Sequence, residues 1–189
     1  MKPLIFVTVG TDHHRFDRLM DWIDQWLETA GDVRCVVQHG PARAPARAEC
    51  HEFLPHPEMQ ALFHEATVVV CQGGPGSIME SRQAGRLPIV IPRLAALKEV
   101  VDDHQVRFSR HVADLGKIAL AESAEGLHDH LNKSLADPTA YLVEQAADET
   151  APAIARFTEL VDTLVATPRR SRFRRRQRGG LPRQRGGLR

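Results

Sequence analysis

Residues 68–80 read VVVCQGGPGSIME. An apolar run passes into Gly73, Gly74 and Gly76, and a helix-like segment follows. Ordered glycine costs more conformational entropy than any other residue. Three of them at the end of a buried strand imply a very tight turn or a close approach to the backbone. The chemistry such a turn can do is anion binding. Strand, glycine turn and helix N-terminus together aim free N–H groups and the positive end of the helix dipole at one point. Pro75 stiffens the turn and Ser77 adds a hydroxyl. The motif is not a P-loop, because no Lys-Ser/Thr follows the glycines. It is not the dinucleotide fingerprint either, because Met79 stands where the third glycine belongs. A structural turn packed tightly against its neighbour is the alternative.

Three further groups could take part. Glu80 lies one helical turn past Gly76, on the same face. A carboxylate there suits ribose hydroxyls better than a phosphate. The bland alternative is a surface glutamate favoured by the helix dipole. The stretch DDHQ (102–105) interrupts an apolar helical pattern, and Asp103, His104 and Gln105 offer donors and acceptors for hydroxyls. It reads equally as a solvated helix face. His13 and His14 follow Gly10 and Thr11, after the first strand. They are a local acid or hydroxyl ligand, or else the solvated start of a helix. No Asp/His grouping has metal-ligand spacing, so neither a metal nor a cofactor is expected.

The elements that must position these residues alternate. Strands are predicted at 3–9, 33–38, 50–54, 67–72, 87–92 and 117–121, from β-branched apolar runs. Helices are predicted at 15–31, 57–66, 76–85, 99–116 and 124–137, with a last one within 139–166. The first has apolar residues at 16, 19, 20, 23, 26 and 27 and stops at Gly31. Alternating strands and helices with short connections predict an α/β fold: a Rossmann-like parallel sheet of about six strands, with helices on both faces. In such sheets ligands bind beyond the strands' carboxyl ends, where both glycine turns fall.

With 189 residues, 42% of them apolar, the chain has the composition of a globular protein and enough length for one sizeable core. The net charge of +1 hides a division. Residues 168–189 carry ten arginines and no acid, leaving 15 basic against 24 acidic side chains, a net of −9, on residues 1–167. Two domains of behaviour follow: a folded body over 1–167 and a disordered Arg-rich tail over 168–189, in which RQRGGL occurs twice. The tail is a solvated extension or a patch drawn to anionic phosphates, such as an anionic membrane surface. Nucleic acid is the less expected partner, since no RNA-binding fold precedes the tail. Cys35, Cys50 and Cys71 are scattered, which suits a reducing compartment. The opening MKPLIFVTVG is too short in apolar residues for a signal peptide, and no run reaches bilayer length. The expected location is the cytoplasm.

VTVGT, EFLPHPEM, GGPGSIME and DHQ occur in this order, and together they resemble the C-terminal domain of family 28 glycosyltransferases. The likeness covers about residues 3–140. It is nearest to the small single-domain members: the catalytic subunit of the split UDP-N-acetylglucosamine transferase of dolichol-linked glycan synthesis, and one subunit of two-part bacterial exopolysaccharide transferases. The resemblance implies the C-terminal, donor-binding half of a GT-B fold and a UDP-sugar as donor substrate. By motif position Gly73, Gly74, Gly76 and Ser77 meet the diphosphate, and Glu80 the ribose. Asp103, His104 and Gln105 reach the donor sugar or its phosphate. Phe53, Leu54 and Met59 frame the uracil, and Gly10 and Thr11 face the cleft. GGPGS departs from the family's usual GGAGT or SGALT, and its proline removes one N–H donor. The general base usually sits on the acceptor domain, so a partner polypeptide, membrane-attached in related systems, is implied; His13 and His14 are the candidates on this chain.

The reading that follows is an inverting UDP-sugar hexosyl- or N-acetylhexosaminyltransferase subunit acting on a lipid-linked or polysaccharide acceptor. Alternatives are a nucleotide-sugar-binding regulatory or scaffold module, a UDP-N-acetylglucosamine 2-epimerase-like enzyme, and an RNA-binding protein driven by the tail.

Overall fold

The computed structural model describes residues 2–144. Six parallel strands form one sheet: β1 (Leu4–Thr8), β2 (Arg34–Gln38), β3 (Glu49–His51), β4 (Val68–Gln72), β5 (Ile89–Ile91) and β6 (Ala119–Leu120). Between and after them run α1 (Asp17–Leu27), α2 (His56–Glu65), α3 (Pro75–Gln83), α4 (His104–Asp114) and α5 (Ala124–Ala136). The predicted α/β architecture is the one observed.

Strands of a parallel sheet are covered on both faces, which is why β1 is buried at all five positions and carries no polar residue before Thr8. Side chains alternate between the faces. Ile5, Val7, Val68, Val70, Ile89 and Ile91 pack with Leu19, Met20 and Ile23 of α1 and Leu127 and Leu131 of α5. On the other face Leu4, Phe6, Val36 and Val69 pack with Leu62 and Phe63 of α2, and Cys71 and Val90 with Ile78 of α3 and part of α4. The rings of Phe6 and Phe63 meet edge to face at 5.1 Å. The predicted stripe of α1 is the buried one: Leu19, Met20, Ile23 and Trp26 face the core.

The strand order is β3-β2-β1-β4-β5-β6. The chain winds outward from β1 in one direction, then from β4 in the other. The crossovers therefore diverge between β1 and β4, and a crevice opens at their carboxyl ends. Both glycine-bearing turns leave from these two strands.

Two predicted boundaries are corrected. The helix expected from residue 99 starts at His104. Ala95–Leu97 form a 3₁₀ turn, Lys98 adopts the left-handed conformation at φ 58°, and Glu99 is drawn inward by an ion pair. An α-helix cannot run through a left-handed residue. The strand expected over 50–54 is the three-residue Glu49–His51, at the sheet edge. Within the region expected to hold a last helix, Pro138–Tyr141 form a 3₁₀ turn, and the rest, with the Arg-rich tail, lies outside the described residues. Cys35, Cys50 and Cys71 are all free thiols; burial pushes Cys35 up to about 12 and raises Cys71 further. Among the described residues no helix is long and apolar enough to cross a membrane.

Candidate functional site

A buried guanidinium organises the crevice. Arg93, two residues past β5, has no exposed surface. Its Nε donates to Oε1 of Gln72 at 2.9 Å. One terminal nitrogen donates to the carbonyls of His14 and Glu99, at 2.9 and 3.0 Å, and the other to the carbonyl of Val9 at 3.0 Å. The ring of Phe16 lies 4.7 Å from its centre. Burial lowers the pKa of Arg93, while the charges of Asp12 and Glu99 oppose that shift. One planar group thus fastens together the loops that follow β1, β4 and β5.

Glu99 extends the network. It pairs with Arg18 of α1 through two bonds of 3.0 and 2.8 Å, and its Oε2 accepts the N–H of Leu94 at 2.9 Å. Arg18 also donates to the carbonyl of Pro92 at 2.9 Å. Gln105 completes the assembly: its Oε1 accepts the N–H of Arg93 at 3.2 Å and its Nε2 donates to Gln72 at 3.3 Å. Gln105 is buried, and its amide is engaged inside the protein. Asp103 accepts the N–H of Ala95 at 3.0 Å. His104 is exposed, and its ring pairs with Asp102. Of the DDHQ stretch, then, His104 faces solvent while Gln105 holds the frame.

This network explains most of the glycines. A Cβ on Gly10, at φ 73°, would collide with Nε2 of Gln72, and one on Gly74 would come within 2.9 Å of the same atom. A Cβ on Gly73 would lie 2.6 Å from Oγ of Ser109, a buried hydroxyl of α4 without a partner among the described residues. These three glycines make room for the protein itself. Gly76 differs: among the described residues nothing lies within 4 Å of the place its Cβ would take. The question raised by the glycine cluster therefore has two answers, internal packing for Gly73 and Gly74, as for Gly10 in the other turn, and open space for Gly76.

The open space is at a helix terminus. Gly74 is the cap of α3 and Pro75 occupies the first helical position. The missing N–H of proline is one that no helix could pair there, so it takes little from the cradle. The next N–H groups, of Gly76 and Ser77, precede the first intrahelical bond, which Ile78 donates to Gly74. Glu80 stands in the second turn of α3, on the face of Gly76, with its carboxylate 3.9 Å from the ring of His56 at the start of α2. At that depth the helix dipole has faded, so the dipole does not account for a glutamate here. Phe53 is exposed just ahead of α2, and Leu54 and Met59 are half-buried against its core. Glu80 and the start of α2 therefore stand together. Thr11 is exposed after Gly10, whose carbonyl accepts from Nε2 of Gln38 at 3.0 Å.

The loop after β1 adds Asp12 to the two histidines singled out from the sequence. Asp12, His13 and His14 bring one ligand-type atom each within 4.8 Å of one another, contrary to the expectation of no Asp/His grouping. Three adjacent residues carry no ligand-motif spacing; the loop curls them together. Oδ1 of Asp12 accepts both the backbone N–H of His14, at 2.8 Å, and the ring Nδ1, at 2.7 Å. Partial burial pushes the Asp12 carboxyl up, but these bonds and the charge of Arg93 outweigh it and leave its pKa lowered. A groove of about 680 Å³ runs from His14 between α1 and residues 97–99, past Trp22 and Leu97.

Asp12, Arg18, Gln72, Arg93 and Glu99 were not singled out from sequence. The available signal was polar residues at or just past the carboxyl ends of buried strands, such as Gln72 and Arg93, where a ligand-facing and an inward-facing side chain look alike.

A doubly wound parallel sheet with glycine turns at its switch point defines a Rossmann-like ligand-binding domain. Residues 4–164 match the family model described as the glycosyltransferase family 28 C-terminal domain, and the chain belongs to that family. No curated protein matches it. Among solved structures it is similar to MurG of Acinetobacter baumannii, at 21% identity and TM-score 0.53, covering 74% of this chain and 43% of that one. The calicheamicin glycosyltransferase CalG4 aligns at 13% identity and TM-score 0.60, over 87% of this chain and 42% of the other. ALG13 aligns at 17% identity and TM-score 0.53, over 82% of this chain and 94% of its own. At such identities the likeness is one of fold, that of the C-terminal half of GT-B enzymes. The chain spans less than half of the first two and nearly all of the third.

Proposed function

We propose that this chain is the donor-binding, catalytic subunit of an inverting UDP-sugar glycosyltransferase, which moves a hexosyl or N-acetylhexosaminyl group to a lipid-linked or polysaccharide acceptor. The observation that carries the reading is the α3 terminus: the N–H groups of Gly76 and Ser77 precede the first intrahelical bond, the space beside Gly76 is open among the described residues, and Glu80 stands one turn further on. The diphosphate lies on that terminus, which stabilises the charge of departing UDP as oriented donors stabilise an oxyanion, without a metal. Glu80 accepts the ribose hydroxyls, and Phe53, Leu54 and Met59 border the uracil. Exposed Thr11, Asp103 and His104 line the cleft, and Gly10, Gly73, Gly74 and Gln105 hold its backbone in place.

The described residues form one half of a GT-B pair. The acceptor-binding half belongs to a membrane-attached partner polypeptide; the likeness to ALG13, nearly all of which aligns with this chain, supports a single-domain arrangement. The Arg-rich tail adds attraction to an anionic membrane surface, each basic residue contributing about 1 kcal/mol. The subunit works at the cytoplasmic face of the membrane.

Calorimetric titration of the full chain with UDP, GDP and UDP-sugars, in the presence of a chelator, tests the donor site. UDP compounds should bind saturably and GDP should not, with no change on metal removal. Equal binding of GDP, or no binding of UDP either alone or with membranes present, would overturn the reading.

Two glycine variants separate frame from site. Gly10→Ala should lower stability by about 1–3 kcal/mol, because it forces a side chain into the left-handed region. Gly76→Ala should leave the urea midpoint unchanged or raised, since alanine favours the helix and meets nothing. Its methyl group should nonetheless weaken UDP binding, read in the same titration.

A further inference from the structure

We propose that the Asp12–His14 pair is the general base of the transfer reaction, so that the group accepting the acceptor's proton is carried on this chain and not on the partner. The inference rests on the donor-binding reading above and names a residue that the reading leaves open.

The tautomer is dictated by geometry. An ionised carboxylate only accepts hydrogen bonds, so the 2.7 Å contact requires the proton on Nδ1 of His14. The lone pair is then on Nε2. Among the described residues Nε2 has no hydrogen-bond partner, and the His14 side chain is 23% exposed. The lowered pKa of Asp12 keeps the carboxylate charged and able to hold an imidazolium.

The position is equally constrained. The His14 carbonyl is fastened to Arg93, and the same guanidinium binds Gln72, the residue before the glycine turn. The pair and the diphosphate cradle are therefore tied to one buried group at the ends of adjacent strands. His14 also lines the groove beside α1, so its ring is reachable from outside the buried network.

Two rival groups fit less well. The His13 side chain is 86% exposed, and its Nδ1 is 3.8 Å from Asp12, beyond hydrogen-bond range. Asp102–His104 repeats the Asp-x-His arrangement, but both its side chains are more than half exposed and, among the described residues, the His104 ring is anchored only to Asp102.

The step balances. The acceptor hydroxyl oxygen bonds to the anomeric carbon as the bond from that carbon to the β-phosphate oxygen breaks, and that electron pair leaves with UDP. The hydroxyl proton moves to Nε2, and the resulting imidazolium is held by Asp12 until solvent takes the proton.

The test uses membranes from cells that naturally carry the chain but whose copy of its gene has been deleted. They are supplied with radiolabelled UDP-N-acetylglucosamine, UDP-glucose or UDP-galactose and purified full chain, and label is read in lipid and polymer fractions. Wild-type chain should restore incorporation. His14→Gln should bind UDP with unchanged affinity yet transfer about 10²–10⁴-fold more slowly, the usual range for a general base. Added imidazole should recover part of the rate in His14→Gly and none in His14→Gln. Full transfer by His14→Gln, loss of UDP affinity in step with rate, or no imidazole rescue would overturn the assignment. Failure of the wild-type chain both to bind UDP and to restore label would instead remove the donor-binding reading on which it rests.

Discussion

Arg93→Ala should destabilise the domain by about 3–5 kcal/mol, the range for removing one member of a buried charged network. The substitution strips hydrogen bonds from Gln72, Val9, His14 and Glu99 at once. Each buried acceptor left unpaired costs about 1–3 kcal/mol, and water entering the vacated space recovers part of that. Set against a total stability of about 5–15 kcal/mol, the loss is a large fraction. Arg93→Lys should fall between the two, because an ammonium keeps the charge but cannot span acceptors on three loops as a planar fork does. The check is urea denaturation, with the midpoint shifting and the slope constant. A loss of less than about 1 kcal/mol, within the range of ordinary surface pairs, would mean that the loops are held by their own geometry and not by Arg93.

Glu80→Ala should weaken UDP binding by about 10–100-fold with little change in stability. Hydrogen bonds to a charged group contribute about 1.5–3 kcal/mol, and each 1.4 kcal/mol is a factor of ten in Kd. The folded state asks little of this carboxylate. The ring of His56 is exposed and 3.9 Å away, and even a charged pair of that kind contributes about 0–1 kcal/mol. Alanine is also the best helix former at such a position. Calorimetry with UDP and with uracil nucleosides lacking the ribose hydroxyls would show whether the loss belongs to the ribose: the deoxy ligands should bind wild type and variant alike. An unchanged Kd for UDP would return Glu80 to the helix surface.

Local pattern carried the fold a long way. Uninterrupted apolar runs such as LIFV and VVVC, each followed by a glycine turn, point to strands covered on both faces, and the spacing of Leu19, Met20, Ile23 and Trp26 points to one side of a helix. Strands alternating with helices leave a parallel sheet as the economical arrangement, and a glycine turn after a strand marks a ligand-facing end. These features depend on neighbours a few residues apart. The start of α4 was misplaced because its pattern continues back to residue 99, whereas Glu99 is claimed by Arg18, 81 residues away. Arg93 looked like any polar residue after a strand; its burial depends on acceptors 79 and 84 residues distant, at His14 and Val9. Gln105 offered a free amide in the sequence and spends it on Gln72 and Arg93 in the structure. Adjacent Asp12, His13 and His14 could be seen, but the curl that gives His14 to the carboxylate and leaves His13 in solvent could not. Whether a polar group turns inward is settled by partners from distant parts of the chain, and those meet only when β1, β4 and β5 lie side by side.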